Sequence, residues 1–359
     1  MPGPPPAVAA VRVAVRRMLA DLVHPPTRGD LPQTRSGAAP LVLVACSGGA
    51  DSLALAAGVA FQAPRLAVRA GAVVVDHGLQ PGSDAVAATA ARQCRGLGLD
   101  PVVVVPVSVS EGAGPEDAAR RARYAAFEEA ASALGAVAVL LGHTRDDQAE
   151  QVLLGLTRGS GTRSMSGMPP RRGIFLRPLL EVTRAQTEAT CAAYALTVWR
   201  DPHNTDERFA RVRARRALAD LDAALGPGID AALARTAALA RADADALDLL
   251  AERRLQGVDP SAVPVDLLDA EAPAVRRRMW RLAAAHCGSR ALTHTHLAAL
   301  DALVADWRGQ GPVDLPGEVT AHRAGGTVHF RRRPRRRQVP RGPEGDVPDD
   351  PGGDAGHLR

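Results

Sequence analysis

A chain of 359 residues, 46% of them hydrophobic but only 3% aromatic, has room for two ordinary domains whose cores must be built from Ala, Val and Leu. All 44 basic residues are arginine, which excludes a Walker P-loop, while the net charge of +5 suits a polyanionic partner without separating nucleic acid from nucleotide or membrane surface. Cys46, Cys94, Cys191 and Cys287 lie far apart with no C-x-x-C and no run nears the ~18 apolar residues of a membrane span, so zinc, an iron–sulfur cluster, disulfides and a membrane anchor are not expected, and without a signal-peptide pattern the expected location is the cytoplasm.

Apolar residues at Val11, Val15, Met18, Leu19 and Leu22 predict a first helix over 7–23, followed by a proline-rich loop to 40. The run Leu41-Val42-Leu43-Val44-Ala45-Cys46 reads as a strand buried on both faces. It breaks at Ser47-Gly48-Gly49-Ala50-Asp51-Ser52, and helical periodicity resumes over 53–59, so the turn opens onto a helix N-terminus. Free N–H groups and a partial positive charge there favour phosphate, and Gly48 and Gly49 let main chain approach it. On this reading Gly48→Ala blocks nucleotide binding by filling space left for the ligand. Ser47 and Ser52 add hydroxyls, and Asp51 sets a carboxylate where a triphosphate would bring Mg²⁺. An esterase elbow with Ser47 as nucleophile would need strands and an oxyanion loop upstream, where the chain is polar and turn-rich.

A second strand over 68–75 ends in Val75-Asp76-His77-Gly78-Leu79, a helix follows over 83–97, and a third strand spans 101–107. A helix over 118–134 begins beside Glu116 and Asp117 and carries Arg120, Arg121, Arg123 and Tyr124; helical spacing lets one arginine, with Arg123 the candidate, reach a triphosphate. The fourth strand, 136–141, runs into Gly142-His143-Thr144-Arg145-Asp146-Asp147-Gln148-Ala149-Glu150. Alternating strands and helices predict a parallel sheet covered on both faces, with ligands beyond the carboxyl ends of its strands. Ser47 to Ser52, Asp76-His77 and His143 to Glu150 all sit at such ends, so one crevice can hold them, with Asp76 toward a nucleoside. Thr144 and Asp147 have the form of a capping box, a structural role that competes with chemistry. Glu150 falls on the same helix face as Asp147, and with His143 at the helix mouth the group could bind a cation or an ammonium group and take protons from it.

Further on come a glycine-rich basic loop over 157–163, a strand or edge segment at Leu176-Arg177-Pro178-Leu179-Leu180, and a helix capped by Thr183 and running to Tyr194. The stretch 199–216 contains Asp201-Pro202-His203-Asn204 and then Arg211, Arg213, Arg215 and Arg216, too basic for a core helix. The expected organisation is an N-terminal helix and loop over 1–40, an α/β nucleotide-binding domain over 41–222, a smaller, mainly helical domain over 225–330 with a hairpin at 313–330, and a basic, disordered tail over 331–359.

Ser-Gly-Gly-x-Asp-Ser after a buried strand resembles the pyrophosphate loop of the ATP pyrophosphatase superfamily. The ordered series Ser-Gly-Gly-x-Asp-Ser, Val-Asp-His-Gly-Leu, Ala-Arg-Arg-x-Arg-Tyr, Gly-His-x-x-Asp-Asp-Gln-x-Glu, Arg-Gly-Ser-Gly, Arg-Pro-Leu-Leu and Asp-Pro-x-Asn, over about residues 40–220, is similar to the tRNA(Ile)-lysidine synthetase family. The resemblance implies that ATP activates the C2 oxygen of the wobble cytidine in tRNA(Ile) with a CAU anticodon, and that free L-lysine then attacks C2 and expels AMP. Ser47, Gly48, Gly49, Ala50 and Ser52 would hold phosphates, and Asp51 the Mg²⁺. Asp147 and Glu150 would take the lysine ammonium, and His143 would stabilise the adenylated cytidine. Arg123, Arg177, Arg211 and Arg215 would neutralise phosphates of ATP or tRNA. Val212 stands where family members often carry Asn. The helical domain would grip tRNA, and a homodimer is compatible with these residues without being specified by them. The rivals are a sister enzyme that thiolates a tRNA base, amidation of a small carboxylate, and a noncatalytic ATP-gated RNA-binding module.

Overall fold

The computed structural model describes residues 3–23, 39–76, 78, 82–107, 115–157, 159 and 161–333; His77, Leu79, Arg158, Ser160, most of the 25–40 loop and the tail beyond 333 lie outside the described residues. The chain forms two compact units, Met1–Asp245 and Ala246–Arg359.

The first unit is built on a six-stranded sheet. In chain order it comprises α1 (Pro6–Val23), β1 (Leu41–Ala45), α2 (Ala50–Gln62), β2 (Arg69–Asp76), α3 (Ser83–Gly96), β3 (Val102–Pro106), α4 (Pro115–Leu134), β4 (Ala136–Leu140) and α5 (Arg145–Thr157). Short α6 (Thr162–Met165), β5 (Arg171–Arg172) and β6 (Phe175–Leu176) precede α7 (Arg184–Ala193) and α8 (Ala210–Leu225). Strand order is β3-β2-β1-β4-β6-β5, parallel except for β5 against β6. Each β1 residue is buried, and the period-2 alternation of a strand divides them between two cores. Val42 and Val44 face a core shared with Val11, Val15 and Leu19 of α1 and Leu53 and Leu55 of α2, while Leu41, Leu43 and Ala45 pack with Phe127, Ala130 and Ala131 of α4. The parallel sheet covered on both faces is therefore present. From β1 the chain moves outward to β2 and β3, then returns to the opposite side as β4. The β1/β4 boundary is thus a topological switch point, where ligand crevices form in such sheets.

A long α9 (Ile229–Arg254) follows, and the two units divide within it, whereas the boundary expected from the sequence lies before it, between 222 and 225. The second unit contains β7 (Ala262–Pro264), α10 (Val265–Asp269), α11 (Pro273–His286), α12 (His294–Ala305), β8 (Val313–Leu315), β9 (Val319–Ala324) and β10 (Thr327–Arg332). Its strands form a separate antiparallel sheet in the order β7-β10-β9-β8. The expected hairpin is the centre of that sheet; β7 went unread because three residues carry no usable period. Arg331 and Arg332, assigned from sequence to the tail, complete β10. Trp280, Met279, Leu300 and Leu303 are fully buried here. Asp301 accepts from Arg276 Nε at 3.1 Å, Arg277 Nε at 2.8 Å and Trp280 Nε1 at 3.0 Å. Burial alone would raise its carboxyl, but these donors outweigh it and hold the group below the ordinary range. Among the described residues no helix is long and apolar enough to cross a membrane.

Candidate active site

The loop from β1 to α2 is closed by its own hydroxyl. Ser52 Oγ donates to Gly49 O at 2.9 Å, accepts from Ser47 N at 3.1 Å, and lies 3.3 Å from Ser47 Oγ. Gly49 is the N-cap of α2 and no side chain caps the helix, which leaves first-turn N–H groups for an anion. Gly48 has φ +84°, and its carbonyl accepts from Trp199 N at 2.9 Å. A Cβ at Gly48 would meet Ala90, Trp199 and Val86 at 3.5–3.8 Å, ordinary contacts on the α3 side of the loop. The ligand-space argument for this glycine is thereby corrected: the positive φ requires it. At Gly49 an added Cβ would instead stand 3.6 Å from Ser47 Oγ, inside the loop. Gly48→Ala is expected to weaken ATP binding by about 10-fold, the effect of roughly 1–2 kcal/mol of left-handed strain, without abolishing it. Equilibrium ATP titration of that variant checks this.

Across the switch point, Gly142 brings the β4 exit against α2. A Cβ there would come within 3.0 Å of Asp51 main chain and Ser52 N. His143 follows, its Nδ1 buried without a hydrogen-bond partner among the described residues. Burial pushes its pKa down to about 4; Asp147 opposes this, while Arg177, Arg211 and Arg120 reinforce it, so the ring is neutral near pH 7.

Asp147 serves two ends. Its Oδ2 accepts from Thr144 N at 2.7 Å and Thr144 Oγ1 at 3.0 Å, capping α5, while its Oδ1 accepts from Arg184 Nη2 at 3.2 Å. The capping and chemical readings are compatible because each uses a different oxygen. Glu150, one turn on, has a side chain only 3% exposed; its Oε1 accepts from Arg215 Nε at 2.8 Å and lies 3.6 Å from Arg184 Nη2. Burial raises its pKa against the pull of Arg215.

Arg184 and Thr187 are the site residues that sequence reasoning missed. The expected cap is present: Thr183 and Gln186 form a capping box that starts α7. Arg184, the first residue inside, sends its guanidinium to Asp147 and Glu150 and brings Nε within 3.8 Å of Asp51 Oδ2. Thr187 Oγ1 makes a short hydrogen bond to Asp51 Oδ1. Burial lifts the Asp51 carboxyl to about 6, with the Thr187 bond working the other way, Asp147 adding repulsion and Arg184 attraction.

These groups line one crevice of about 920 Å³. Ser47, Gly49 to Ser52, His143, Asp147 and Glu150 share it, as the sequence anticipates, and Arg123, Arg211, Arg215 and Val212 border it. Gly48 lines a smaller cavity behind the loop. Two candidates lie elsewhere. Asp76 Oδ1 accepts from Gly78 N at 3.1 Å and Ser83 Oγ at 2.6 Å, closing the turn into α3. Arg177 is 4% exposed and donates from Nη1 to Pro169 O at 2.9 Å.

The chain matches a PP-loop domain model over residues 21–221 and a TilS substrate binding domain model over residues 264–329. It is 51% identical to the tRNA(Ile)-lysidine synthase of Streptomyces coelicolor over 349 residues, covering 92% of this chain and 99% of that protein. It is 52% identical to the enzyme of the same name from Thermobifida fusca over 333 residues, covering 91% and 98%. Among solved structures, the U34-tRNA thiolase NcsA from Methanococcus maripaludis superposes with a TM-score of 0.51 at 15% identity, over 64% of this chain and 78% of that one, a likeness of fold.

Proposed function

The chain belongs to the tRNA(Ile)-lysidine synthase family, and on that premise we propose how its crevice joins lysine to C2 of the wobble cytidine of tRNA(Ile) with a CAU anticodon. ATP lies with its β and γ phosphates on the first-turn amides of α2 and the Ser47 hydroxyl. The C2 oxygen of the cytidine attacks the α phosphorus and pyrophosphate leaves. The ε-amine of free L-lysine, held by Asp147 and Glu150, then attacks C2 and AMP leaves. Amides aimed at the departing pyrophosphate stabilise charge as it develops. Arg123, Arg211 and Arg215 neutralise phosphates of ATP or tRNA at the crevice wall, and the 225–330 region grips the tRNA.

Asp51 fits a Mg²⁺ ion carried by the triphosphate. It is a half-buried carboxylate at the α2 N-terminus, 3.8 Å from Arg184 Nε and open to the crevice. Mg²⁺ commonly takes one or two carboxylates and completes its shell with phosphate oxygens and water. Bound there, the ion would supply neutralising charge to the pyrophosphate.

The observation that carries this reading is the shared crevice, lined both by the uncapped start of α2 and by the carboxylate pair of half-buried Asp147 and buried Glu150. Incubation with ATP, labelled lysine and a tRNA(Ile) transcript bearing CAU tests it. Label is expected in that tRNA, with one AMP and one pyrophosphate per lysine, and not in a transcript with a methionine-tRNA body. Pyrophosphate release without label transfer overturns the lysine step.

A neutral His143 suits contact with the adenylated cytidine, because it adds no positive charge beside the arginines. Its titration is directly observable. The unfolded chain takes this proton near 6.5 and the folded one near 4, so stability is expected to fall by up to about 3 kcal/mol as pH drops through that window. The NMR signal of the ring is expected to be flat between about pH 6 and 8. His143→Gln removes this acid-side loss; denaturant midpoints at several pH values measure it.

A further inference from the structure

Three carboxylates and two guanidiniums meet in the crevice, and one of the cations reaches both walls. Arg184 Nη2 lies 3.2 Å from Asp147 Oδ1 and 3.6 Å from Glu150 Oε1, while its Nε is 3.8 Å from Asp51 Oδ2 at the start of α2. A cationic NH₂ poised between two carboxylates is the arrangement an alkylammonium would adopt on the same oxygens. The seat an amine would take on Asp147 and Glu150 is therefore filled by the protein's own cation. A lysine ammonium entering beside it would bring like charges onto shared acceptors.

We propose that Arg184 is a displaceable occupant of the amine seat, drawn off by the polyphosphate of ATP, so that lysine binds well only after nucleotide. The inference rests on the reading that Asp147 and Glu150 receive the lysine ammonium. A planar guanidinium forms paired, charge-assisted bonds with phosphate oxygens, and the fork of Arg184 already extends to the α2 N-terminus where a polyphosphate would lie. Arrival of that charge beside Asp51 gives the guanidinium a new partner and leaves the α5 carboxylates short of one. Arg184 is anchored for such a swing. Its backbone N donates to Asp146 Oδ2 at 2.9 Å and the capping box fixes the α7 start, so its side chain can move while its backbone stays. Arg215, by contrast, remains on Glu150 Oε1 at 2.8 Å and keeps part of the pair's charge balanced. The consequence is an order of binding: amine is admitted where activated substrate can form.

The test is calorimetric titration of the full-length protein with free L-lysine, with and without a non-hydrolysable ATP analogue. Wild type is expected to bind lysine about 30-fold more tightly with the analogue, and lysine must tighten analogue binding by the same factor, since coupling is reciprocal. In Arg184→Gln the factor is expected to fall to about 2 or less, with lysine binding gained in the nucleotide-free protein. Arg184→Lys keeps the charge but loses the fork, and its factor is expected to drop at least ~3-fold, a reading that survives if the Gln variant does not fold. A merely structural bridge between α7 and α5 would alter melting temperature and leave the factor in place. Equal lysine affinity in both wild-type states, or an unchanged factor in either variant, overturns the proposal. Glu150→Gln separates the two levels: if it binds lysine like wild type, the amine-seat reading has failed. If it loses lysine while wild type shows no coupling, only the role of Arg184 has failed.

Discussion

Glu150→Gln is expected to cut lysine incorporation into tRNA by about 10²-fold or more, while tRNA-dependent exchange of pyrophosphate into ATP survives in part. The two readouts separate the half-reactions. In the proposed mechanism adenylation would draw on the α2 amides and Ser47, whereas the ion pairs of Glu150 are with Arg215 and Arg184. Lysine transfer needs a neutral amine, and with an ordinary pKa near 10.4 only about one ε-amine in a few thousand is neutral at pH 7. A carboxylate that both pairs with the ammonium and receives its proton answers that scarcity. Burial makes Glu150 more basic than an exposed glutamate, and the Arg215 bond restrains the shift. The amide of Gln keeps the shape but neither takes the proton nor balances the charge, and it leaves Arg215 facing a neutral partner at a site that is 3% exposed. Asp147→Asn provides the companion experiment. Its amide oxygen can still accept from Thr144 N, so α5 keeps its cap and the loss falls on the oxygen that faces Arg184. Equal loss of both half-reactions in either variant would remove the carboxylates from a dedicated amine site.

What the sequence could reveal follows the range of each signal. β1 was legible because six consecutive apolar residues between a polar loop and a glycine turn fit a doubly buried strand, and its residues do alternate between two cores. The starts of α7 and α5 were legible because Thr183–Gln186 and Thr144–Asp147 are local, three-residue signals. Arg184 and Thr187 were not, since periodicity cannot tell which helix start will face which. Only the switch point brings α7 against α2 and α5. Asp76 and Arg177 show how local partners complicate such a reading. Each lies near a strand end, where function is a fair expectation; Asp76 turns back to bond Gly78 and Ser83, and Arg177 gives Nη1 to the Pro169 carbonyl while its Nε has no partner among the described residues. A polar residue at a strand exit has local partners available, and nothing in one sequence says whether it takes them. At Gly48 the sequence argues from ligand space, whereas the geometry shows a positive φ and only ordinary contacts for an added Cβ.

Ser52→Ala is expected to raise the KM for ATP by about 3- to 10-fold and to change the lysine-transfer step little once ATP is saturating. The hydroxyl does not point outward as a free phosphate donor. It spans the loop, giving a hydrogen bond to Gly49 O and taking one from Ser47 N, in a residue that is 7% exposed. Gly49 O retains a second donor in Leu53 N at 3.0 Å, so the acceptor side is partly covered after the change. Ser47 N is not, and in a solvent-exposed residue the loss is that of one hydrogen bond, about 0.5–1.5 kcal/mol, which favours opening of the loop. An opened loop no longer presents the α2 amides to the triphosphate, hence the effect on ATP. Ser47→Ala should do less, because Ser47 is exposed and its hydroxyl meets the loop only through Ser52. Hydrogen exchange in the ligand-free protein distinguishes loop closure from direct phosphate contact. If Ser52 closes the loop, the Ser47 amide exchanges faster in Ser52→Ala before any nucleotide is added. If the hydroxyl acts only on phosphate, exchange without ligand matches wild type and the loop-closing account fails.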